Sequence, residues 1–168
     1  IKYKGNQIGK SIKEENCDLM IKEIFETLKS HSCKIIFPED VLIGKNLDDK
    51  PQIKELNNIK DDDIILDIGP KTLDKIKKII ENSETVLWNG PAGYFENPNF
   101  ANGSYDIAKA ITKKNKNNSI YSVVGGGDTI ALINKIKLIE NFNFVSTAGG
   151  AFLEYLEGKE LPGIKALN

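Results

Sequence analysis

The sequence predicts an α/β fold, a three-layer Rossmann-like sandwich with a mostly parallel sheet, in one domain. Two observations carry this prediction: short apolar runs alternate with stretches of helical spacing, and most of the runs lead into loops that contain Gly. A length of 168 residues and a hydrophobic content of 40% fit a single globular domain with one core.

The first third of the chain predicts one helix, one strand and a long connection. The helix spans 14–30, where apolar residues recur at three- and four-residue spacing. The apolar run Lys34–Phe37, closed by Pro38, follows as a buried strand. The polar segment 43–63 predicts a surface connection with little regular structure, and its acidic run Asp61–Asp63 predicts a solvated surface.

Further strands and helices complete the alternation. The predicted strands are 64–66, 85–88, 120–124 and 142–145, and the predicted helices are 72–80, 104–113, 129–136 and 151–157. Thr72, Ser104 and Asp128 are the expected N-caps of the first three of these helices. Ligands of parallel sheets bind beyond the carboxyl ends of the strands, which is where the glycines fall.

Composition argues against a nucleic-acid-binding or membrane protein. The chain has 23 basic and 24 acidic residues and a formal charge of −1. All the basic residues are Lys, so this chain offers no bidentate guanidinium clamp for a phosphate. Cys17 and Cys33 lack CxxC spacing, which favours core thiols in a reducing compartment over a disulfide. The reducing compartment that these thiols favour predicts a cytoplasmic protein. No apolar run approaches the ~20 residues of a membrane helix.

Two strand–glycine–helix stretches are candidate anion sites. In Ser122–Thr129 an apolar strand runs into three glycines and a helix begins at once. Residues without Cβ let a phosphate approach the backbone, and the free amides of the helix start point toward it. Asp128 either caps this helix or holds Mg²⁺ beside the phosphates. Val145–Ala151 repeats the arrangement. Taken alone, the first stretch is as typical of a tight βα turn as of an anion site. The second is as typical of close helix packing as of an anion site.

A third stretch, Val86–Glu96, leads from a strand into a loop rich in Gly and Pro. Pro91 stiffens this loop and offers a flat apolar surface to a base, while Glu96 can accept hydrogen bonds from ribose hydroxyls. Without further context, a structural turn with a solvated Glu is the favoured interpretation.

In this order the three stretches resemble the phosphoglycerate kinase family, across nearly the whole chain. The most specific motifs are Trp88–Glu96 (WNGPAGYFE), Gly125–Thr129 (GGGDT) and Leu153–Gly163 (LEYLEGKELPG), supported by Ile8–Ser11 and Leu66–Thr72. The resemblance implies that residues 1–168 are the C-terminal, nucleotide-binding domain of a two-domain kinase. It also implies that the N-terminal substrate domain and the first strands of the nucleotide domain are not part of this chain.

The resemblance implies reversible phosphoryl transfer between 1,3-bisphosphoglycerate and MgADP, giving 3-phosphoglycerate and MgATP in glycolysis and gluconeogenesis. Glu96 would bind the ribose, Leu66 and Pro91 would flank the adenosine, and Asn89 would lie near the phosphates. Phosphoglycerate would bind the domain that is not part of this chain. We therefore expect the 168 residues, once folded, to bind adenine nucleotide (ATP or ADP) weakly and not to catalyse transfer, and the full-length protein to be a monomer.

The glycine turns would serve the phosphates in such a kinase. The resemblance places Gly127 and Thr129 at the nucleotide phosphates and Asp128 at Mg²⁺. Gly126, which also approaches the phosphates, is implied as a catalytic residue facing the transferring group. The remaining implied catalytic residues are Gly149 and Gly150.

The chain departs from the family pattern at three positions. Ala148 stands where a Gly is usual, Phe152 where a small residue is common, and Ile65 where a Gly commonly lines the adenine pocket. A methyl at position 148 restricts φ, so the chain either tolerates Ala148 or shifts the amides that follow it, and both outcomes stay open from the sequence.

Two alternatives stay open from the sequence. One is a non-catalytic nucleotide-binding or interaction module derived from the same fold. The other is a Rossmann-type dehydrogenase, which is disfavoured because GxGxxG is not completed after Gly127.

Overall fold

A computed structural model describes residues 1–167, which form two three-stranded sheets and six α-helices. The strands are β1 Asp40–Gly44, β2 Gln52–Glu55, β3 Ile64–Ile68, β4 Thr85–Asn89, β5 Tyr121–Gly125 and β6 Phe144–Val145. The helices are α1 Asp18–Ser30, α2 Pro70–Glu81, α3 Asn102–Asn115, α4 Gly127–Lys135, α5 Gly150–Leu156 and α6 Pro162–Lys165. The predicted α/β, Rossmann-like class is confirmed. Within residues 1–167, no helix combines the length and the apolar character that crossing a bilayer requires.

The parallel sheet, in the order β4–β5–β6, carries the main core. On its inner face Trp88 pairs with Val124, and both are buried among helices α2, α3 and α4. These helices contribute Ile80, Ile107, Ile111, Leu132 and Ile133. The opposite face carries Leu87 and Phe144, which are 45% and 50% exposed. Among the residues described, the helices of this core pack on the face that carries Trp88 and Val124.

The second sheet, in the order β2–β1–β3, is antiparallel and corrects two predictions. Segment 43–63, expected to be an irregular connection, contains the end of β1 and all of β2. The strand predicted at 64–66 is present as β3, but it pairs with β1 rather than with the parallel sheet. Strand β2 was not predicted because it is an edge strand exposed along most of its length, and its sequence therefore lacks apolar alternation.

The acidic run 61–63 ends in a buried ion-pair network. Asp63 is fully buried, and its carboxylate accepts hydrogen bonds from the ammonium groups of Lys45 and Lys54, each at 2.7 Å, and from the amide of Lys60. Burial alone would raise the pKa of Asp63, but these donors hold it well below its usual range. The predicted solvated surface is therefore wrong for Asp63, which ties β1 and β2 to the start of β3.

The first predicted helix is present as α1, beginning four residues later than the sequence pattern suggests. None of its residues is buried, and its Phe25 ring stacks between Tyr3 and Phe37 at centroid distances of 5.4 and 6.1 Å. Cys17 and Cys33, on either side of the helix, are free thiols. Cys33 is exposed, so the expectation of two core thiols is wrong for that residue.

Residues 34–37 do not form the predicted buried strand. Ile35 and Ile36 are 40% and 38% exposed. A strand requires a neighbour that pairs with its backbone amides and carbonyls. None of the strands formed by residues 1–167 pairs with this segment, so the apolar run lies at the surface without regular secondary structure.

Helices α2 and α3 begin against buried aspartates that come from other strands. The amides of Lys71 and Thr72 donate to the Asp40 carboxylate at 3.1 and 2.9 Å. The amide of Gly103 donates to the Asp67 carboxylate at 2.9 Å. Each aspartate satisfies amides that have no partner within the helix and places a negative charge at its N-terminus.

The three predicted N-caps are wrong. Thr72, Ser104 and Asp128 each lie inside the first turn of a helix rather than before it. The reason is that α2 and α3 are capped over a long range, which leaves no local pattern in the sequence.

Candidate functional site

The two glycine turns lie side by side at one edge of the parallel sheet. β5 and β6 are neighbours running in the same direction, so Gly125 and Val145 end at the same edge. The amide of Ser146 donates to the carbonyl of Val124 at 2.8 Å, which carries the pairing into the second turn. The ring of Phe152 lies over Gly125, where an added Cβ would be 2.7 Å from it. The turns at 125–129 and 146–150 therefore belong to one surface.

The first turn leaves the start of α4 open. Gly126 has φ of 86°, in the left-handed region that favours Gly, and α4 begins at the next residue without a side-chain cap. A Cβ on Gly127 would meet no atom within 4 Å. The first amides of α4 therefore differ from those of α2 and α3, which aspartates cover, and they are available to an anion.

The end of β4 is fastened to this turn. The amide of Gly90 donates to Oγ of Thr129 at 2.7 Å, and the indole N–H of Trp88 donates to the carbonyl of Gly90 at 2.8 Å. Oδ1 of Asn89 would lie 2.8 Å from a Cβ on Gly126. Three consecutive strand ends of the parallel sheet thus meet in one place. Thr129 is fully buried, with its hydroxyl against Gly90, so the structure does not expose this predicted ligand residue to a phosphate.

The loop after β4 crosses the end of β3. The amide of Tyr94 donates to the carbonyl of Leu66 at 2.7 Å, and the amide of Ala92 donates to Oγ of Ser104 at 2.8 Å. Leu66 is buried beneath this loop, while Pro91 is half-buried and Glu96 is exposed. The apolar and acidic residues predicted to contact adenosine therefore lie on one loop and on the strand beneath it.

The second turn accommodates its alanine. Gly149 has φ of 57°, whereas Ala148 is not among the residues with positive φ. The methyl therefore falls at a position where an L-residue is unstrained, which favours toleration of Ala148. Gly149 and Gly150 are exposed, and a Cβ on either would meet no atom within 4 Å.

Asp128 is the one acidic residue in the first turn of α4, and it is exposed. Within residues 1–167, no group of three or more His, Cys, Asp or Glu side chains is placed to hold a metal ion. A hard cation such as Mg²⁺ commonly takes one or two carboxylates together with phosphate oxygens and water. Asp128 fits that kind of site, in which a bound nucleotide would supply the remaining ligands.

Sequence reasoning missed the residues that hold the site together. Thr129 was predicted as a ligand residue, but its hydroxyl joins α4 to the end of β4. Asp67 and Ser104 hold the loop after β4 from below. An available signal for Asp67 was a single carboxylate within the otherwise apolar strand 64–68.

Comparison with known proteins gives one consistent result. A family model described as phosphoglycerate kinase matches residues 1–159. Curated phosphoglycerate kinases of Wolbachia pipientis subsp. Culex pipiens and of Dictyoglomus turgidum are each 43% identical, over 161 and 169 residues. These matches cover 95% and 99% of this chain, but 41% and 42% of those proteins. The chain therefore spans about two fifths of the length of the relatives it matches.

Solved structures agree. The structure of phosphoglycerate kinase from Coxiella burnetii is similar with a TM-score of 0.91 and 38% identity, over 99% of this chain and 43% of that one. The crystal structure of phosphoglycerate kinase from Pyrococcus horikoshii OT3 gives a TM-score of 0.74 and 30% identity, over 99% of this chain and 41% of that one.

Proposed function

The chain belongs to the phosphoglycerate kinase family, and from that premise we propose that residues 1–168 are the nucleotide-binding domain of such a kinase. The reaction is the reversible transfer of a phosphoryl group from 1,3-bisphosphoglycerate to MgADP, a step of glycolysis and gluconeogenesis. The observation that carries the proposal is the meeting of two glycine turns and the loop after β4 at one edge of the sheet. The open start of α4 lies among them.

The nucleoside binds along the loop after β4. Glu96, exposed on that loop, accepts hydrogen bonds from the ribose hydroxyls. Pro91, half-buried on the same loop, offers an apolar surface to the adenosine, and Leu66 supports that loop from beneath. Asn89, whose side chain already lies against the first glycine turn, contacts the phosphates.

The phosphates bind at the glycine turns. Gly126 and Gly127 surround the nucleotide phosphates at the start of α4, where the helix dipole favours an anion, and Thr129 holds this turn against the end of β4. Gly149 and Gly150 donate their amides to the transferring group, as does Gly126.

Asp128 holds Mg²⁺ together with the nucleotide phosphates. When bound, the cation would neutralise the negative charge that spreads over the phosphoryl oxygens. The protein itself contributes alignment and fixed amide dipoles, which is most of what this chemistry requires.

The phosphoglycerate side of the reaction lies outside these 168 residues. The chain spans about two fifths of its relatives and contains no Arg for clamping a carboxylate or a phosphate. The whole protein works in the cytoplasm as a monomer and binds neither nucleic acid nor membrane. The 168 residues alone bind nucleotide and do not catalyse transfer.

Nucleotide binding and activity are tested separately. Thermal unfolding of the 168-residue chain is measured with MgADP, with NADH and without ligand. MgADP is expected to raise the midpoint and NADH to leave it unchanged. Stabilisation by NADH alone would favour the dehydrogenase alternative. ATP formation from 1,3-bisphosphoglycerate and ADP by this chain would refute its restriction to the nucleotide side.

Catalytic competence is tested by restoring the other substrate side. The 168 residues are joined to the part of the Coxiella burnetii enzyme that they do not match, and ATP formation is assayed. Activity that disappears on replacing Asp128 with Asn supports the kinase. MgADP binding without any transfer in a folded chimaera supports the non-catalytic module.

A further inference from the structure

Asp67 is a buried carboxylate without a cationic partner among residues 1–167. It is 1% exposed, and it appears in none of the ion pairs found in that range. Its Oδ2 accepts the amide of Gly103 at 2.9 Å, and its Oδ1 accepts the amide of Ile68 at 2.8 Å. Burial raises the pKa of Asp67 to about 6, against the opposing effect of the two amides. An ionisable side chain that stays buried at this cost is expected to have a role in the fold or in the site.

Two glycines enclose this carboxylate. A Cβ on Gly93, in the loop after β4, would lie 2.5 Å from Oδ1 of Asp67, and one on Gly103 would lie closer still. The loop and the start of α3 therefore both rest directly on the carboxylate. Only residues without a side chain permit this approach.

The two groups that accept hydrogen bonds from the loop after β4 lie close to Asp67. Ser104, which accepts the amide of Ala92, follows Gly103 in α3. Leu66, which accepts the amide of Tyr94, precedes Asp67 in β3. Moving the carboxylate would consequently shift both acceptors of the loop.

We propose that Asp67 is a positioning residue for nucleotide binding, fixing β3 and the start of α3 so that the loop presents Pro91 and Glu96 to the nucleoside. The inference rests on the proposed nucleotide site. Asp67 itself is too deeply buried to touch a ligand and takes no part in proton transfer. Its action passes through the amide of Gly103 and the hydroxyl of Ser104.

The variants are chosen to grade the effect. Asp67→Asn keeps the shape and one acceptor oxygen, so it retains one of the two hydrogen bonds, while Asp67→Ala retains neither. Asp40→Asn is the matched control, because Asp40 is equally buried and caps α2 from another strand without touching the loop. Ser104→Ala removes the hydroxyl that accepts the amide of Ala92 and leaves Asp67 in place.

Amide hydrogen exchange of the 168-residue chain reports the position of the loop without any ligand. Asp67→Ala and Ser104→Ala are expected to speed exchange at Ala92 and Tyr94 by about tenfold, with Asp67→Asn in between. Asp40→Asn is expected to leave both amides unchanged. Unchanged exchange at Ala92 and Tyr94 in the Asp67 variants would refute the proposal, whatever Ser104→Ala shows.

Isothermal titration with MgADP then links position to binding. Asp67→Ala is expected to bind about tenfold more weakly than the parent chain, with Asp67→Asn intermediate and Asp40→Asn equal to the parent. Equal weakening by Asp40→Asn would indicate a general loss of stability and overturn the assignment. If the parent chain fails to bind MgADP, the proposed function fails, whereas the exchange result still decides whether Asp67 positions the loop. If Asp67→Ala does not fold, Asp67→Asn carries the same test.

Discussion

The hydroxyl of Thr129 accepts the amide of Gly90 at 2.7 Å and joins the start of α4 to the end of β4. These residues are 39 positions apart in the chain. One belongs to the turn proposed for the phosphates and the other to the loop proposed for the nucleoside. The distance between the two parts of the site is therefore fixed by a single hydrogen bond as well as by the sheet.

Thr129→Val removes this bond while keeping the shape of the side chain. We expect a loss of roughly 1 kcal/mol in the free energy of unfolding and about fivefold weaker MgADP binding. Thr112→Val is the control, because Thr112 is also buried but its hydroxyl donates within α3, to the carbonyls of Ala108 and Lys109. Urea unfolding and titration calorimetry measure the two effects. Weaker binding in both variants would show that the bond to Gly90 has no special role.

Gly127→Ala tests whether the open start of α4 faces a phosphate. A methyl here meets no protein atom within 4 Å, so stability should be unchanged or slightly higher, since Ala favours helix. It would nevertheless occupy the space through which a phosphate approaches the amides. We expect about tenfold weaker binding of MgADP and unchanged binding of adenosine.

Gly163→Ala is the control for this substitution. Gly163 also lies at the start of a helix, α6, and a Cβ there likewise meets no atom within 4 Å. It should affect neither ligand. Equal loss of adenosine and MgADP binding in Gly127→Ala would place the methyl against the nucleoside instead and contradict the phosphate assignment.

The sequence predicts the elements whose signals are local. Strands β4 and β5 lead into glycine turns and helices, and their apolar runs indicate those strands within about one residue. The meeting of the turns at 125–129 and 146–150 follows from the parallel order of strands.

Long-range partners explain what the sequence could not predict. Helix α2 is capped by Asp40, 32 residues away from Thr72, so no pattern near its start reveals the cap. The sequence predicts Asp63 to be one of three solvated acids. Its partners Lys45 and Lys54 approach it only through strand pairing. The role of Asp67 likewise depends on a contact with Gly103, 36 residues away.

The pH dependence of stability separates Asp67 from Asp40. Burial raises the pKa of Asp67 to about 6, so the folded chain binds a proton there that the unfolded chain does not bind until about pH 4. The free energy of unfolding of the parent chain, relative to Asp67→Asn, should rise as pH falls from about 7 to 4, by roughly 1–3 kcal/mol.

The contribution of Asp40 to the free energy of unfolding should depend on pH in the opposite sense. Burial alone would raise its pKa, but the amides of Thr72 and Lys71 outweigh that effect and lower it. Its stabilising contribution is therefore present above about pH 4 and is lost in more acidic solution. Urea unfolding of the parent, Asp67→Asn and Asp40→Asn chains at several pH values measures both trends. A parent-minus-Asp67→Asn difference that stays flat between pH 7 and 4 would contradict a raised pKa.

Glu96→Gln tests the ribose contact, with the ligand serving as a second control. An ionised carboxylate accepts two hydroxyl donors better than an amide, which has one acceptor oxygen and presents a competing donor. We expect Glu96→Gln to bind MgADP about fivefold more weakly and to bind 2′,3′-dideoxy-ADP, with Mg²⁺, as the parent chain does. Glu84→Gln, exposed just before the opposite end of β4, should change neither affinity. If Glu96→Gln weakens both ligands equally, Glu96 acts through charge or loop structure, and the hydroxyls of the ribose are bound elsewhere.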